Sequence, residues 1–493
     1  MLRKETGIAE STRSSQSFEE SAVPQQSGPA VPSPGINERK LMAKIDMRLL
    51  PVLCVLYLLA FLDRVNISNA AIFGLKSDLK LGGVEYNTAL TIFFVPYILF
   101  EIPSNILLKK LKPHLWLSIC MFMFGLTTTL QGLVQNYHGL LATRFFLGVF
   151  EAGMFPGCFY LIAMWYKREE AQKRYSFFFG STSLAGAFGG LLASAIGKID
   201  GYHGYRGWRW IFILEGVLTC AVSFLFYFVI VDFPEEAKFL TDEERAFVKA
   251  RLQKDVGESA REENITLKDV LGVFKDYKIF VGGFMYFGLV VPAYGYAYFA
   301  PTILQQFGTS PIQTQLRSVP PWACAFVFAM LIATLSDYFK HRFLFTLIPI
   351  SITISGFAIL LAVHDNKTLQ YGALFLLAMG TYSAMPVVVC WFNTNLSGHH
   401  RRSVGTAWQV GFGNIGGIIA TYSFLDVDKP FYTRGYSIGL AFACLSALSC
   451  VVYFVGVTAE NKRRSRGQSK HSDATEEEKR VLGDENPEYR YLR

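Results

Sequence analysis

From about residue 49 to residue 457 the chain is a succession of apolar runs, each close to 20 residues long and separated by short islands of charge. A bilayer core takes about 20 apolar residues per spanning helix, and only structures that satisfy their own backbone can cross it. The pattern therefore predicts an all-α membrane protein with twelve transmembrane helices. Composition agrees: 51% of residues are hydrophobic and 17% charged, where a soluble chain carries roughly 25% charged residues.

The first six spans are expected at 49–73, 88–108, 115–134, 140–165, 175–197 and 208–231. The second six are expected at 279–304, 319–338, 343–362, 369–391, 404–424 and 436–457. Residues 1–40 are rich in Ser, Pro and Gln and read as a disordered tail without an apolar leader. Span 1 is then expected to insert the chain. The divisions are 41–231 for a first six-helix half, 232–278 for a polar linker, 279–457 for a second half and 458–493 for a charged tail. Thr241 is expected to cap a short linker helix within FLTDEERAFVKARLQKD. Two halves of six, with no residue-level repeat between them, fit folds that place a ligand site between the halves near mid-membrane.

Lys and Arg favour the cytosolic side. They crowd before span 1 (Arg39, Lys40, Lys44, Arg48) and in loops 2–3, 4–5, 8–9 and 10–11, while loop 3–4 has none. Both termini and the linker are thus expected in the cytosol. Lys198 and Arg206 in loop 5–6 run mildly against the rule. Asn366, in Asn-Lys-Thr on an outer loop, is a glycosylation candidate. The net charge of +8 reads as this orientation signal, and nucleic acid is not an expected partner. The eight cysteines lie in apolar runs without CxxC pairs, and the eight histidines lie in loops or tails. No metal, cofactor or enzymatic centre is expected.

An ionisable side chain at bilayer depth costs at least roughly 2.5–3.5 kcal/mol, so each one calls for a reason. Span 1 carries Asp63 and Arg64, and span 4 carries Arg144 and Glu151. Arg144 and Glu151 are seven residues apart and share a helix face. The expectation is that these charges meet in a wet chamber between the halves. Two arginines there suit a carboxylate, and two acids can exchange protons as the charge balance shifts. The alternative is that the four pair off as structural salt bridges. Glu101 and Glu215 are read first as structural. Tyr97, Ser181, Thr182, Ser183 and Asn414 are candidates to line a path. So are Tyr294, Tyr296 and Tyr298, of which at most two can share one side of a helix. The glycine-rich runs of spans 5 and 11 are read as packing surfaces.

Five segments together resemble the major facilitator superfamily over residues 40–460: RLLPVLCVLYLLAFLDRVNISNA, FEIPSNILLKKL, ATRFFLGVFEAGMFPG, GWRWIFILEG and VDFPEEAKFLTDEE. More narrowly they resemble its anion:cation symporter family, in the fungal allantoate permease branch, with the look of nicotinic acid permeases. The resemblance implies an alternating-access carrier, functional as a monomer, whose partners are a small carboxylate, protons and the lipid bilayer. It implies that Arg64 binds the carboxylate, that Asp63 and Glu151 serve proton coupling with Arg144 as partner, and that Tyr97, Thr182 and Asn414 lie near substrate; Tyr294, from the span 7 tyrosines, is a further substrate-binding candidate. Two departures stand out. Loop 2–3 (LLKKLKPH) lacks the Asp of the superfamily's gating motif, whereas loop 8–9 keeps Asp337 with Lys340 and Arg342. Span 5 reads AGAFGG in place of the Gly-Pro pattern of drug antiporters. The expected function is proton-coupled uptake of a monocarboxylate across the plasma membrane, nicotinate or a related pyridine acid first. The alternatives are a proton-driven exporter of a drug or secondary metabolite and a non-transporting nutrient receptor.

Overall fold

In the computed structural model, residues 36–256, 272–396, 399–468 and 489–492 are described. Most of the expected N-terminal tail, part of the linker and most of the C-terminal tail lie outside them.

Among the described residues eleven helices are long and apolar enough to cross a membrane. In the first half these are α1 (Glu38–Ile72), α2 (Glu85–Leu108), α3 (Pro113–Gln131), α4 (Tyr137–Trp165), α5 (Lys173–Ile199) and α6 (Gly207–Val229). The second half has α7 (Tyr277–Gln305), α8 (Pro311–Phe339), α9 (Arg342–Ala362), α10 (Lys367–Asn395) and α12 (Thr433–Ser465). Between the last two runs α11 (His399–Ser423), a long helix that opens on HHRR and carries Gln409 and Asn414, and is therefore less apolar. The expected architecture of two six-helix halves is thus present.

The helices overrun the apolar segments. α1 begins at Glu38, eleven residues before the expected Leu49, with the Asn37 side chain accepting from Lys40 N at 3.2 Å. α12 continues to Ser465. Hydropathy marks the part of a helix inside the lipid, whereas backbone hydrogen bonding carries on into the polar zone. Asn366 caps α10 by accepting from Leu369 N at 3.1 Å.

The linker folds back on the first half. Its helix, Asp242–Val256, opens with a capping box: Thr241 Oγ1 accepts from Glu244 N at 3.2 Å, and Glu244 Oε2 accepts from Thr241 N at 3.0 Å. Lys44 of α1 reaches Glu244 at 2.7 Å, and Arg251 pairs with Glu38 at 2.7 Å and with Glu170. The Lys44 hydrogen bond holds the Glu244 carboxyl below the usual range. These contacts define a linker end of the bundle, opposite a far end.

At the far end the halves are closed against each other. Asn87 of α2 donates from Nδ2 to the Thr421 carbonyl at 2.6 Å and to the Phe424 carbonyl at 3.2 Å. The hydroxyls of Thr91 and Thr421 lie 2.6 Å apart, and Lys76 pairs with Asp426 at 3.0 Å. Gly417 of α11 makes room for the Phe94 ring, which would lie 2.2 Å from an added Cβ. A Thr91→Cys/Thr421→Cys protein carrying a protease site in the linker should crosslink its halves on mild oxidation. After proteolysis it should then run as one band that splits on reduction. Failure to crosslink, with the parent protein as control, would refute this far-end closure.

Candidate functional site

The site is built where α1, α2, α4 and α7 meet. Two of these helices are interrupted at its level. α2 loses regular helix between Thr91 and Phe94, and α4 breaks at Ala152–Gly153, immediately after Glu151. Sequence reading took both as continuous. Broken helices at membrane depth are tolerated where they are enclosed by protein, and here they surround buried charge.

Arg64 donates from Nε to Glu151 Oε1 at 2.8 Å and pairs with the same carboxylate through Nη2. Its Nη1 donates to the hydroxyl of Tyr294, which comes from the second half. Its guanidinium carbon lies 5.0 Å from the centre of the Phe93 ring and 4.9 Å from that of Tyr97. Cations over aromatic faces gain further stabilisation. Glu151 uses Oε1 for both bonds from Arg64, and its buried Oε2 has no hydrogen-bond partner. A proton added there cancels the carboxylate charge and so weakens both bonds from Arg64.

Arg144, seven residues or about two turns before Glu151 on the same face of α4 with Gly148 between, does not bind a carboxylate directly. It donates to the Ala89 carbonyl at 3.3 Å and to the Arg64 carbonyl at 3.2 Å, fixing α1 and α2 from behind. Phe93 lies between the two arginines, 5.2 Å from the Arg144 guanidinium.

Asp63 is not in this group. Successive helix residues point about 100° apart, and Asp63 turns into the first half. Its neighbours are Glu215 and Thr219 of α6 and Thr128 of α3. It is 1% exposed, and neither oxygen makes a hydrogen bond. Glu215 accepts from Asn66 Nδ2, and Asn66 Oδ1 accepts from Asn69 at 3.3 Å. The structure therefore separates the charges of span 1: Arg64 faces the interface between halves, and Asp63 faces a polar cluster within one half.

The other expected residues are also dispersed. Tyr294 and Tyr298 stack at 5.7 Å on one face of α7, while Tyr296 turns to Trp322 at 5.1 Å. Thr182 is buried and donates to the Phe179 carbonyl of its own helix at 2.7 Å. Asn414 lies against Glu101, which bridges from α2 to α11. Sequence reading took Glu101 first as structural, and it overlooked Phe93. An apolar ring between two arginines leaves no mark in hydropathy.

Of the four charges expected together, Arg64 and Glu151 pair directly, and they do so in a dry setting. Arg64 is 2% exposed and Glu151 0%. Tyr294 covers Arg64 from the second half, and the Phe93 and Tyr97 rings cover it from the first. The expected wet chamber is replaced by an occluded pair.

A family model described as Major Facilitator Superfamily matches residues 53–421. The chain belongs to this superfamily. A transporter of Penicillium expansum, "MFS-type transporter cnsO", is 32% identical, over 93% of this chain and 91% of the relative. The "High-affinity nicotinic acid transporter" of Saccharomyces cerevisiae is 31% identical, over 94% of this chain and 86% of its own length. Among solved structures, a bacterial homologue of the human lysosomal transporter Spinster superposes with a TM-score of 0.61 at 15% identity, over 85% of this chain and 97% of the other. That likeness concerns the fold. The chain is an integral membrane protein of this superfamily.

Gly148 sets the distance between α4 and α2. A Cβ added there would stand 2.2 Å from the Phe93 carbonyl oxygen and 2.9 Å from Pro96. Gly148→Ala should push α2 outward and cost about 1–3 kcal/mol, the usual range for overpacking. A lower melting midpoint of the purified protein is the readout. Gly372→Ala, where an added Cβ meets nothing within 4 Å, should not lower the midpoint, since Ala favours the helix over Gly.

Proposed function

We propose that this protein is a proton-coupled carrier that takes up a small organic monocarboxylate across the plasma membrane, with nicotinate or a related pyridine acid as the first candidate. The observation that carries the reading is the Arg64–Glu151 pair at the junction of the halves, completed by Tyr294 from the second half. The Nε/Nη2 edge of Arg64 holds one carboxylate at a time, and Nη1 is taken by Tyr294. Protonation of Glu151 releases the Nε and Nη2 donors of Arg64, and a substrate carboxylate takes them bidentately. Loss of the proton returns Glu151 to Arg64 and expels the substrate. Proton and anion therefore move together. The rings of Phe93, Tyr97 and Tyr294 around the guanidinium suit a flat aromatic acid, and the name of the yeast relative points to the same class.

In this reading Arg144 supplies a second positive charge that acts on Glu151 and holds α1 and α2 in place. Asp63 is a second acid that titrates within the first half, away from the substrate. Thr182 and Asn414 enter the path when the halves separate. The basic loops support a cytosolic linker end and cytosolic termini, which would put Asn366 outside and open to glycosylation. A single chain holds the complete site, so a monomer suffices.

Uptake of labelled nicotinate into proteoliposomes tests the scheme. Arg64→Ala should abolish saturable uptake while purification yield and melting midpoint show a folded protein. Glu151→Gln mimics the protonated acid. It should retain substrate exchange between equal pools but lose accumulation driven by external acid. Normal uptake by Arg64→Ala would remove the site assignment. Depletion of substrate by external acid, in place of accumulation, would favour the exporter.

A further inference from the structure

The end of the chain returns to the bundle in a way that no transport scheme requires. Residues Tyr489–Leu492 lie extended against the linker ends of α7, α10 and α12, and two buried asparagines grip their main chain. Asn461 of α12 donates to the Tyr491 carbonyl at 2.9 Å and accepts from the Tyr491 N–H at 3.0 Å. Asn395, the last residue of α10, donates to the Leu492 carbonyl at 3.0 Å and accepts from the Leu492 N–H at 2.7 Å. Trp391 Nε1 donates to that same Leu492 carbonyl at 3.0 Å. Each amide side chain thus acts as a piece of paired strand, satisfying one donor and one acceptor of an extended peptide.

Side chains add selectivity. Tyr491 is 4% exposed. Its hydroxyl accepts from Lys278 Nζ of α7 at 2.7 Å and from Arg464 of α12 at 3.2 Å. Its ring lies 4.4 Å from the Lys278 ammonium and 4.8 Å from the Arg464 guanidinium. Glu460 holds both cations in place, with Lys278 at 2.9 Å and Arg464 bonded within one helical turn. Tyr489 donates from its hydroxyl to the Thr394 carbonyl at 3.1 Å, and Arg464 donates back to the Tyr489 carbonyl at 3.0 Å.

A buried polar group without a partner is costly, and Asn395, Asn461 and Trp391 find partners here on the tail. We propose that the linker end of the second half carries a peptide-binding groove, formed by α7, α10 and α12, whose occupant is the chain's own terminal segment Tyr489–Leu492, and that the seated tail locks these three helix ends together. The lock is releasable because its bonds are exchangeable hydrogen bonds at the rim of the bundle. It bears on the site because α7 also carries Tyr294. This inference does not rest on the transport reading and stands or falls separately from it.

Hydrogen exchange on the full-length protein in nanodiscs tests the proposal, since the groove shields the amides of Tyr491 and Leu492 directly. The tail should exchange at least tenfold more slowly than a free synthetic peptide of residues 484–493. Asn395→Asp/Asn461→Asp removes the two amide donors, and Tyr491→Ala removes the anchoring ring while leaving the bundle untouched. Either variant should bring the tail to the free-peptide rate and speed exchange at the linker ends of α10 and α12 at least threefold. A wild-type tail that exchanges like the free peptide overturns the groove. A tail freed in Tyr491→Ala with α10 and α12 unchanged overturns the lock.

Discussion

A guanidinium that has lost its water must place its donors on protein groups, and Arg64 does so across the boundary between two halves. Removing an ion from water costs several kcal/mol even after relaxation. Arg64 meets that cost with two bonds to Glu151, one to Tyr294 and the faces of Phe93 and Tyr97. Because Tyr294 belongs to the second half, closing the halves and completing the arginine's partners are one event. Parting the halves strips Arg64 of a hydrogen bond, which water or an anion must replace. On the proposed carrier reading, this geometry couples ligand capture to closure without any long-range signal.

The backbone around the pair is shaped for it. Gly148 lets α4 approach the carbonyl of Phe93, and Gly153 leaves room for Ser104 Oγ, which would lie 1.8 Å from an added Cβ. Ser104 in turn accepts from Trp116 at 3.0 Å. The close approach of α2 to α4 is what sets the Phe93 ring between Arg64 and Arg144. The interruptions in both helices occur where that approach is tightest. Small residues here therefore serve the placement of charge as much as helix packing.

The architecture was legible because lipid imposes a length. Runs of about 20 apolar residues can be counted, and a charge inside one stands out by its cost. The meeting of Arg64 with Glu151 follows the same signal. What could not be read is direction. Asp63 and Arg64 are adjacent in the chain, yet a rotation of about 100° sends them to different neighbours, and nothing in their spacing says which faces the second half. Tyr294 was one of three candidate tyrosines, and its choice depends on the rotation of α7. The docked tail was hidden more deeply. Its composition is polar, which reads as disorder, and its recognition runs through its own main chain. The asparagines that hold it look like ordinary polar residues at helix ends.

The distribution of ionic contacts explains how such a bundle can move. Each ion pair named at the linker end joins elements of a single half or of its attached linker: Arg251 with Glu38 and Glu170, Lys44 with Glu244, Lys278 with Glu460. The second half is tied further by the tail. What crosses between halves is different in kind. At the linker end it is Tyr175 against Arg402 and Glu101 against Asn414. At the far end it is neutral hydrogen bonds from Asn87 and Thr91, with the half-exposed pair of Lys76 and Asp426. Exposed ion pairs contribute about 0–1 kcal/mol, and neutral hydrogen bonds exchange readily with water. The better-buried pairs of Arg251 and Lys278 thus tie elements within a half, while mostly neutral contacts form the seam. Within that seam Arg64 is a buried full charge, 2% exposed, and opening must break its bond to Tyr294. On the carrier reading, the barrier to opening falls on a contact that an anion relieves.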